Sequence, residues 1–444
     1  MNDHSHSGPA AGLRPTNTRY IVVGFMMALA MVTYLDRACI GTMKTSIQAE
    51  FGLTEGQFSW VFVAFGLSYA LFEIPTARWA DRRGAKGVFS RIVIWWSAFT
   101  LLTAAAWNYV SLLVTRFLFG AGEAGAFPCM ARVLSRWMPF RERGTAKGIF
   151  FASAYTAGGL TPIIVGYLML AFSWREILVM FGFIGLVWVA AWHWWYRDEP
   201  TEHPRANEAE RQLIIADRPP PRESPAGWAF WRNLLQQRNV RLLCFLYMPN
   251  CATFYYCITW LPSYLEMKHG FVKTELGIYA SLPLLLAIPT QFLGGWLSDR
   301  ITRRHGTTAG RRIPGIVGYA LAAVCIVAAS LATQPQVAAL CIAFAASTCM
   351  LTTAPAWSTC VDIGREHSGT VSATMNTAGQ LAAISVAPIT GYSVDWFDNW
   401  NVPFWLLAAL FVMGAICWMF VEPEKPVIRD TFAAPAAAAP GTAG

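Results

Sequence analysis

Residues 77–86 read Ala77-Arg-Trp-Ala-Asp-Arg-Arg-Gly-Ala-Lys86, and residues 294–306 read Gly294-Gly-Trp-Leu-Ser-Asp-Arg-Ile-Thr-Arg-Arg-His-Gly306. Each closes an apolar run. Aligned on Asp81 and Asp299, both give small-x-x-small-Asp-Arg followed by further basic residues. The two aspartates are 218 positions apart, about half of the 444-residue chain. Either copy alone reads equally well as an ordinary charged loop. Two copies at equivalent places argue for a duplicated architecture.

The flanking sequence is built for lipid. Of all residues 55% are hydrophobic and only 14% charged, against about 25% charged in a soluble domain. A bilayer-crossing helix needs about 20 apolar residues. Twelve stretches qualify: 20–41, 58–80, 88–107, 109–134, 145–172, 176–196, 241–265, 276–298, 314–333, 336–361, 370–394 and 402–421. The first is too long for a cleaved signal peptide, and no small-residue cleavage site follows it. The sixth and seventh are separated by a charged, Pro-rich segment. The domain reading is a disordered cytoplasmic tail (1–18), a six-helix bundle (19–196), a cytoplasmic linker (197–239), a second six-helix bundle (240–421) and a disordered tail (422–444). The ten cysteines lie in apolar runs without metal-ligand pairing and read as small buried hydrophobes.

With the N-terminus placed in the cytoplasm, the two tails, the even-to-odd loops and the span ends that adjoin them hold 28 of the 34 Lys and Arg. The opposite loops hold Lys44, Arg175, Lys268 and Lys273; Arg37 and Arg116 lie within spans. This asymmetry is the positive-inside pattern. It assigns the net charge of +8 to a cytoplasmic lipid surface, with no call for nucleic acid. No Gly-x-Ser-x-Gly, His-Glu-x-x-His or P-loop is present, which removes the corresponding hydrolase, metalloprotease and nucleotide-driven classes. No catalytic residue, metal site or cofactor is expected.

The paired loops resemble the signature between the second and third spans of the major facilitator superfamily, with Ala77 for the usual first Gly and Ala85 for a basic residue. The resemblance implies an all-α membrane protein with twelve transmembrane helices in two six-helix bundles, the major facilitator fold. It gives Asp81, Arg82 and Gly84, and in the second copy Asp299 and Arg300, the part of a cytoplasmic gate latch. Tyr34-Leu-Asp-Arg37, Gly120-Ala-Gly-Glu-Ala-Gly-Ala-Phe-Pro128, the run 255–265 and Asn376 further resemble the anion:cation symporter family. That family includes bacterial sugar-acid (hexuronate, galactonate) proton symporters and is related to vesicular glutamate carriers.

Four ionisable residues stand out deep inside apolar spans: Asp36, Arg37, Arg116 and Glu123. A charge near mid-bilayer costs about 2.5–3.5 kcal/mol on insertion scales, so each needs a reason. The bland one is a pair of buried salt bridges joining helices. The sharper one is coupled binding. Arginine offers a planar fork to a carboxylate. With both acids ionised the cavity has no surplus positive charge; protonating Asp36 or Glu123 releases an arginine, so anion and proton each favour the other's binding. The family resemblance agrees, associating the positions of Asp36 and Glu123 with proton coupling and those of Arg37 and Arg116 with the anion. It adds Tyr34, Tyr69, Tyr155, Trp357 and Asn376 as substrate-contacting positions.

The expected activity is import of a small organic anion, such as a hexuronate, aldonate or aldarate, with protons by alternating access. The expected setting is the bacterial inner membrane, with the protein a monomer among lipids and both termini cytoplasmic. Alternatives are exchange or export by the same fold, or uptake of an aromatic or dicarboxylic acid. Ala154 stands where relatives carrying sugar acids can have a polar amide, leaving room for a less polar carboxylate. Glu73, four residues after Tyr69, is read either as an extension of the proton path or as a structural pairing near the charged loop.

Overall fold

The computed structural model describes residues 14–139, 142–216, 228–365 and 368–426. In chain order the helices are α1 (Thr18–Thr42), α2 (Lys44–Phe51), α3 (Glu55–Arg83), α4 (Ala85–Ala104), α5 (Tyr109–Glu123), α6 (Ala126–Trp137), α7 (Arg143–Leu168) and α8 (Trp174–Trp195). The linker contributes α9 (Glu208–Ala216) and α10 (Trp228–Gln236). The second half holds α11 (Arg238–Thr259), α12 (Leu261–His269), α13 (Lys273–Leu331), α14 (Pro335–Met350), α15 (Thr353–Gly364), α16 (Ser368–Phe397) and α17 (Val402–Phe420).

Each of the twelve expected spans falls on helix, within a few residues at its ends. Among the described residues nine segments have the length and apolarity to cross a bilayer, one of them holding the eighth and ninth spans together; α3 and α16 carry the other two. Span four breaks between α5 and α6, span seven between α11 and α12, and span ten between α14 and α15. Large apolar side chains such as Leu71, Val187, Phe292 and Val324 point outward, as expected where the surroundings are hydrocarbon rather than water.

The duplication visible in the loops recurs in the backbone. Gly84, between α3 and α4, has φ 84° and ψ 162°; Gly306, which breaks α13 into two arms, has φ 86° and ψ 165°. Only glycine takes this conformation without strain. Just beyond each glycine a helix N-terminus is met by an acid that follows the last helix of its own bundle. Asp198 Oδ1 accepts from the amides of Ala85 (2.6 Å) and Lys86 (3.0 Å), and Glu424 Oε1 accepts from Thr308 N (3.3 Å) and Oγ1 (3.0 Å). A carboxylate here fills orphan amides and complements the helix dipole.

The linker is tied to the first bundle. Glu210 on α9 is fully buried and accepts from Thr16 Oγ1 (2.5 Å), Thr18 N (3.3 Å) and Arg19 N (3.0 Å), capping the start of α1. Residues 1–13, 217–227 and 427–444, which fall in the expected tails and linker, lie outside the described residues.

The two bundles meet by polar contacts at the end opposite the termini. Asp395 on α16 accepts from the first amides of α3, Glu55 N (3.0 Å) and Gly56 N (2.7 Å). Trp60 Nε1 donates to Tyr392 OH (3.0 Å), and Thr45 Oγ1 to Glu266 Oε2 (2.9 Å). Lys44 pairs with Glu55 and stacks on Trp260 of the second bundle, 3.9 Å from its ring centre. Gly41 lets α1 press against the Ile258 carbonyl of α11; a Cβ there would overlap it. At the other end, no hydrogen bond or ion pair joins the bundles among the described residues.

Candidate functional site

About one turn of α1 presents Tyr34, Asp36 and Arg37 to the seam between the bundles, and α5 brings Arg116 and Glu123 against them. All four charged groups are buried: Asp36 is 2%, Arg37 8%, Arg116 3% and Glu123 0% exposed. Arg116 and Glu123 share a face because seven residues make two helical turns. Close approach of α5 to α3 depends on Gly120, where a Cβ would strike Phe65 O.

Local backbone geometry shapes the cluster. α5 ends at Glu123; Ala124 is extended (ψ 136°) and Gly125 left-handed (φ 87°). The chain re-enters helix as α6 in a new direction, which turns Phe127 back over Arg37. The Arg37 guanidinium carbon then lies 4.8 Å from the Tyr69 ring centre, 5.3 Å from Phe65, 5.5 Å from Tyr34 and 5.6 Å from Phe127. Four aromatic faces around the guanidinium favour a cation there. Arg116 lies 4.2 Å from Phe119 and 5.4 Å from Phe65.

The pairing is uneven. Arg37 Nε donates to Glu123 Oε1 at 2.5 Å. Asp36, next to Arg37 in sequence, has both carboxyl oxygens buried without a hydrogen-bond partner, and Arg116 Nε and Arg37 Nη2 are likewise unpartnered. Two complete salt bridges, the bland sequence reading, are therefore not what forms: there is one. A cavity lined by Arg37, Phe65, Arg116, Tyr255, Thr259 and Ile384 opens beside the cluster, between α1, α3, α5, α11 and α16. A separate apolar groove bounded by Trp60, Leu67, Tyr109, Val114 and Phe117 carries no charged side chain.

The remaining expected positions divide. Tyr34 and Tyr69 join the cluster. Tyr155 on α7 is reached through an aromatic chain, Tyr34 to Phe254 (5.7 Å) and Phe254 to Tyr155 (5.3 Å). Trp357 turns to Tyr247, donating Nε1–H to its hydroxyl at 3.1 Å. Asn376 is half-buried on α16. Glu73 is half-buried and makes no ion pair among the described residues, so the expected structural pairing has no counterpart there; the charged neighbour it feels is Arg37.

Of the gate residues, Gly84 forms the turn described above. Asp299 and Arg300 are exposed. Asp299 lies 3.5 Å from Arg311, which also holds Asp362 at 2.9 Å. The side chains of Asp81 and Arg82 lie outside the described set. Sequence reasoning missed Phe65 and Phe127, which lie four residues before Tyr69 and four after Glu123 and so share their helix faces or ends. It also missed Asn250, whose amide binds Tyr319 OH (2.7 Å) and Thr352 Oγ1 (3.0 Å); an Asn after Pro249 inside an apolar span was the available signal.

The model of the Major Facilitator Superfamily matches residues 26–387. The chain belongs to that superfamily. It is a multi-pass membrane transporter and not an enzyme. It is 32% identical over 407 residues to the probable sulfoacetate transporter SauU of Cupriavidus necator, covering 91% of this chain and 94% of that one. It is 29% identical to the probable galactarate/D-glucarate transporter GarP of Escherichia coli, over 91% and 95% of the two chains. The fold is shared with a bacterial homolog of the human lysosomal transporter Spinster, solved inward-facing and unoccupied: TM-score 0.70, 19% identity, 91% and 95% coverage. The transporter thus has relatives named for small organic anions, and its charged cluster lies at the seam between two bundles.

Proposed function

We propose that this transporter imports a small organic anion, a carboxylate or sulfonate, together with protons by alternating access. The reading assigns it to a bacterial inner membrane as a monomer with cytoplasmic termini. The proton is its coupling ion and no other cofactor is required. The observation that carries it is the uneven pairing of the buried charges: Glu123 occupies Arg37, while Asp36 has no partner at all. A buried carboxylate without hydrogen bonds is costly, so the environment of Asp36 suits a neutral carboxyl carrying a proton.

The steps follow from the chain's own groups. With Asp36 protonated, Arg116 has no ionised partner and the cavity carries surplus positive charge. An anion enters against Arg116 and competes with Glu123 for the Arg37 fork. Glu123 displaced from Arg37 is a buried carboxylate in need of a proton, so cargo and proton bind together. Release of the anion restores the Arg37–Glu123 bridge. The bundle contacts at Asp395, Tyr392 and Glu266 correspond to a closed periplasmic end, so this conformation delivers cargo to the cytoplasm.

Proteoliposomes test the reading. An imposed inward pH gradient should drive accumulation of D-glucarate or sulfoacetate in the wild type, and Asp36→Asn and Glu123→Gln should abolish accumulation while leaving the protein folded. Undiminished accumulation in both variants would remove the coupling assignment. Exchange that proceeds at the wild-type rate without any pH gradient effect would replace symport with antiport.

A further inference from the structure

A second polar pole stands across the seam from the arginines. Tyr155, on α7 of the first bundle, directs its hydroxyl at Met350 Sδ, 3.9 Å away, and a thioether is a weak acceptor. The side chain of Gln291, on the first arm of α13 in the second bundle, is a neighbour of the same phenol. Yet Gln291 Nε2 is buried with no hydrogen-bond partner. Ala154, next to Tyr155, is fully buried and brings no polar atom. Two neighbouring polar groups, one from each bundle, are thus left under-satisfied, and natural interiors rarely leave such groups so.

The wall between the two poles is aromatic. From the Arg37 guanidinium it runs over Tyr34 (5.5 Å), Phe254 (5.7 Å) and Tyr155 (5.3 Å). These rings are apolar surface without charge, the kind of surface a carbon chain packs against. We propose that Gln291, with Tyr155, is a specificity-determining pair that hydrogen-bonds the far end of the cargo, selecting anions with an oxygen-bearing group at both ends over anions with an apolar tail. The proposal rests on the anion-import reading. It extends that reading by naming the group that recognises the end of the cargo away from Arg37 and Arg116. Because Tyr155 and Gln291 belong to opposite bundles, a cargo spanning them also links the halves that must move relative to one another.

The test compares D-glucarate with hexanoate, which share a six-carbon chain and a terminal carboxylate; glucarate adds a hydroxyl on each of C2 to C5 and a second carboxylate at the far end. Purified wild type, Gln291→Leu, Gln291→Asn and Tyr155→Phe are titrated with each. In wild type glucarate should bind more tightly than hexanoate. Gln291→Leu and Tyr155→Phe should each weaken glucarate about tenfold, the loss of one hydrogen bond, and leave hexanoate unchanged; Gln291→Asn should recover part of the loss. Hexanoate binding retained by the variants certifies that they fold. Equal weakening of both anions, or no change in either, overturns the assignment while the import reading stands. Wild type that binds neither of these anions nor sulfoacetate overturns the import reading and this one with it.

Discussion

Arg37 and Glu123 are 86 residues apart in sequence and joined at 2.5 Å inside the membrane-spanning region. Four aromatic rings and the neighbouring helices shield the pair from water. Removing one partner of such a pair costs about 3–5 kcal/mol, because the other charge is left buried and alone, whereas replacing both by apolar groups is often neutral. Arg37→Ala should therefore lower the thermal stability of the detergent-solubilised protein, and Arg37→Met with Glu123→Leu should restore it. Neither should transport anion. A double variant as unstable as the single one would mean that the bridge is not the dominant interaction of either group.

Asp36 should behave in the opposite way. Its oxygens have no partner to lose, so Asp36→Asn should change stability by less than about 1 kcal/mol, within the range of substitutions that break no network. Its effect should appear in transport alone: counterflow of labelled anion retained, uphill accumulation lost. A thermal shift as large as that of Arg37→Ala would show that Asp36 holds an ion pair in some populated state.

The duplicated loop, the span count and the four intramembrane charges were legible because each is a local pattern: a repeated motif, an apolar length, a charge where none is expected. Which acid would take which arginine was not legible. The one bridge forms between α1 and the last residue of α5, and its geometry depends on the helix break at Ala124–Gly125, which no periodicity announces. Trp357, carried over from family resemblance, gives its indole N–H to Tyr247, a partner that the resemblance does not announce. Resemblance transfers a position along the chain, while the pairing of side chains is decided by helix rotation and by partners far away in sequence. Phe127 illustrates this: it meets Arg37 from just beyond the non-helical residues Ala124 and Gly125.

Lys44 is a titratable group whose surroundings change if the end of the molecule opposite the termini opens. It is fully buried and lies beyond the end of α1. Burial pushes its ammonium down to about 8, with Glu55 pulling the other way; an exposed lysine sits near 10.4. The closed form thus binds fewer protons than the open form between about pH 8 and 10, and proton release stabilises closure. Raising the pH through this window should shift the population towards the closed end; below about pH 8 both forms are protonated and the balance is flat with respect to this group. The unfolded chain also exposes Lys44, so by the same sign its contribution to fold stability rises over the same interval. Labelling of a cysteine introduced at Thr45 should fall as pH rises, and Lys44→Met should remove the dependence. A pH profile identical in that variant would sink the assignment.

Gly41 supplies the steric counterpart. Its missing Cβ leaves room for the Ile258 carbonyl, and that obstacle is backbone, which cannot rotate away as a flexible side chain can. Gly41→Val should hold α1 away from α11 without disturbing the pairing of Arg37 and Glu123. Expression and anion binding from the side opposite the termini should persist, and net transport should fall at least tenfold because the closed conformation described here is no longer reached. Hydrogen exchange at the first amides of α3 gives an independent reading. Glu55 and Gly56 donate to Asp395 in this closed arrangement; if Gly41→Val prevents closure, their exchange should accelerate to the level seen when the cap itself is removed by Asp395→Ala. Unaltered exchange together with lost transport would place the defect elsewhere than in closure.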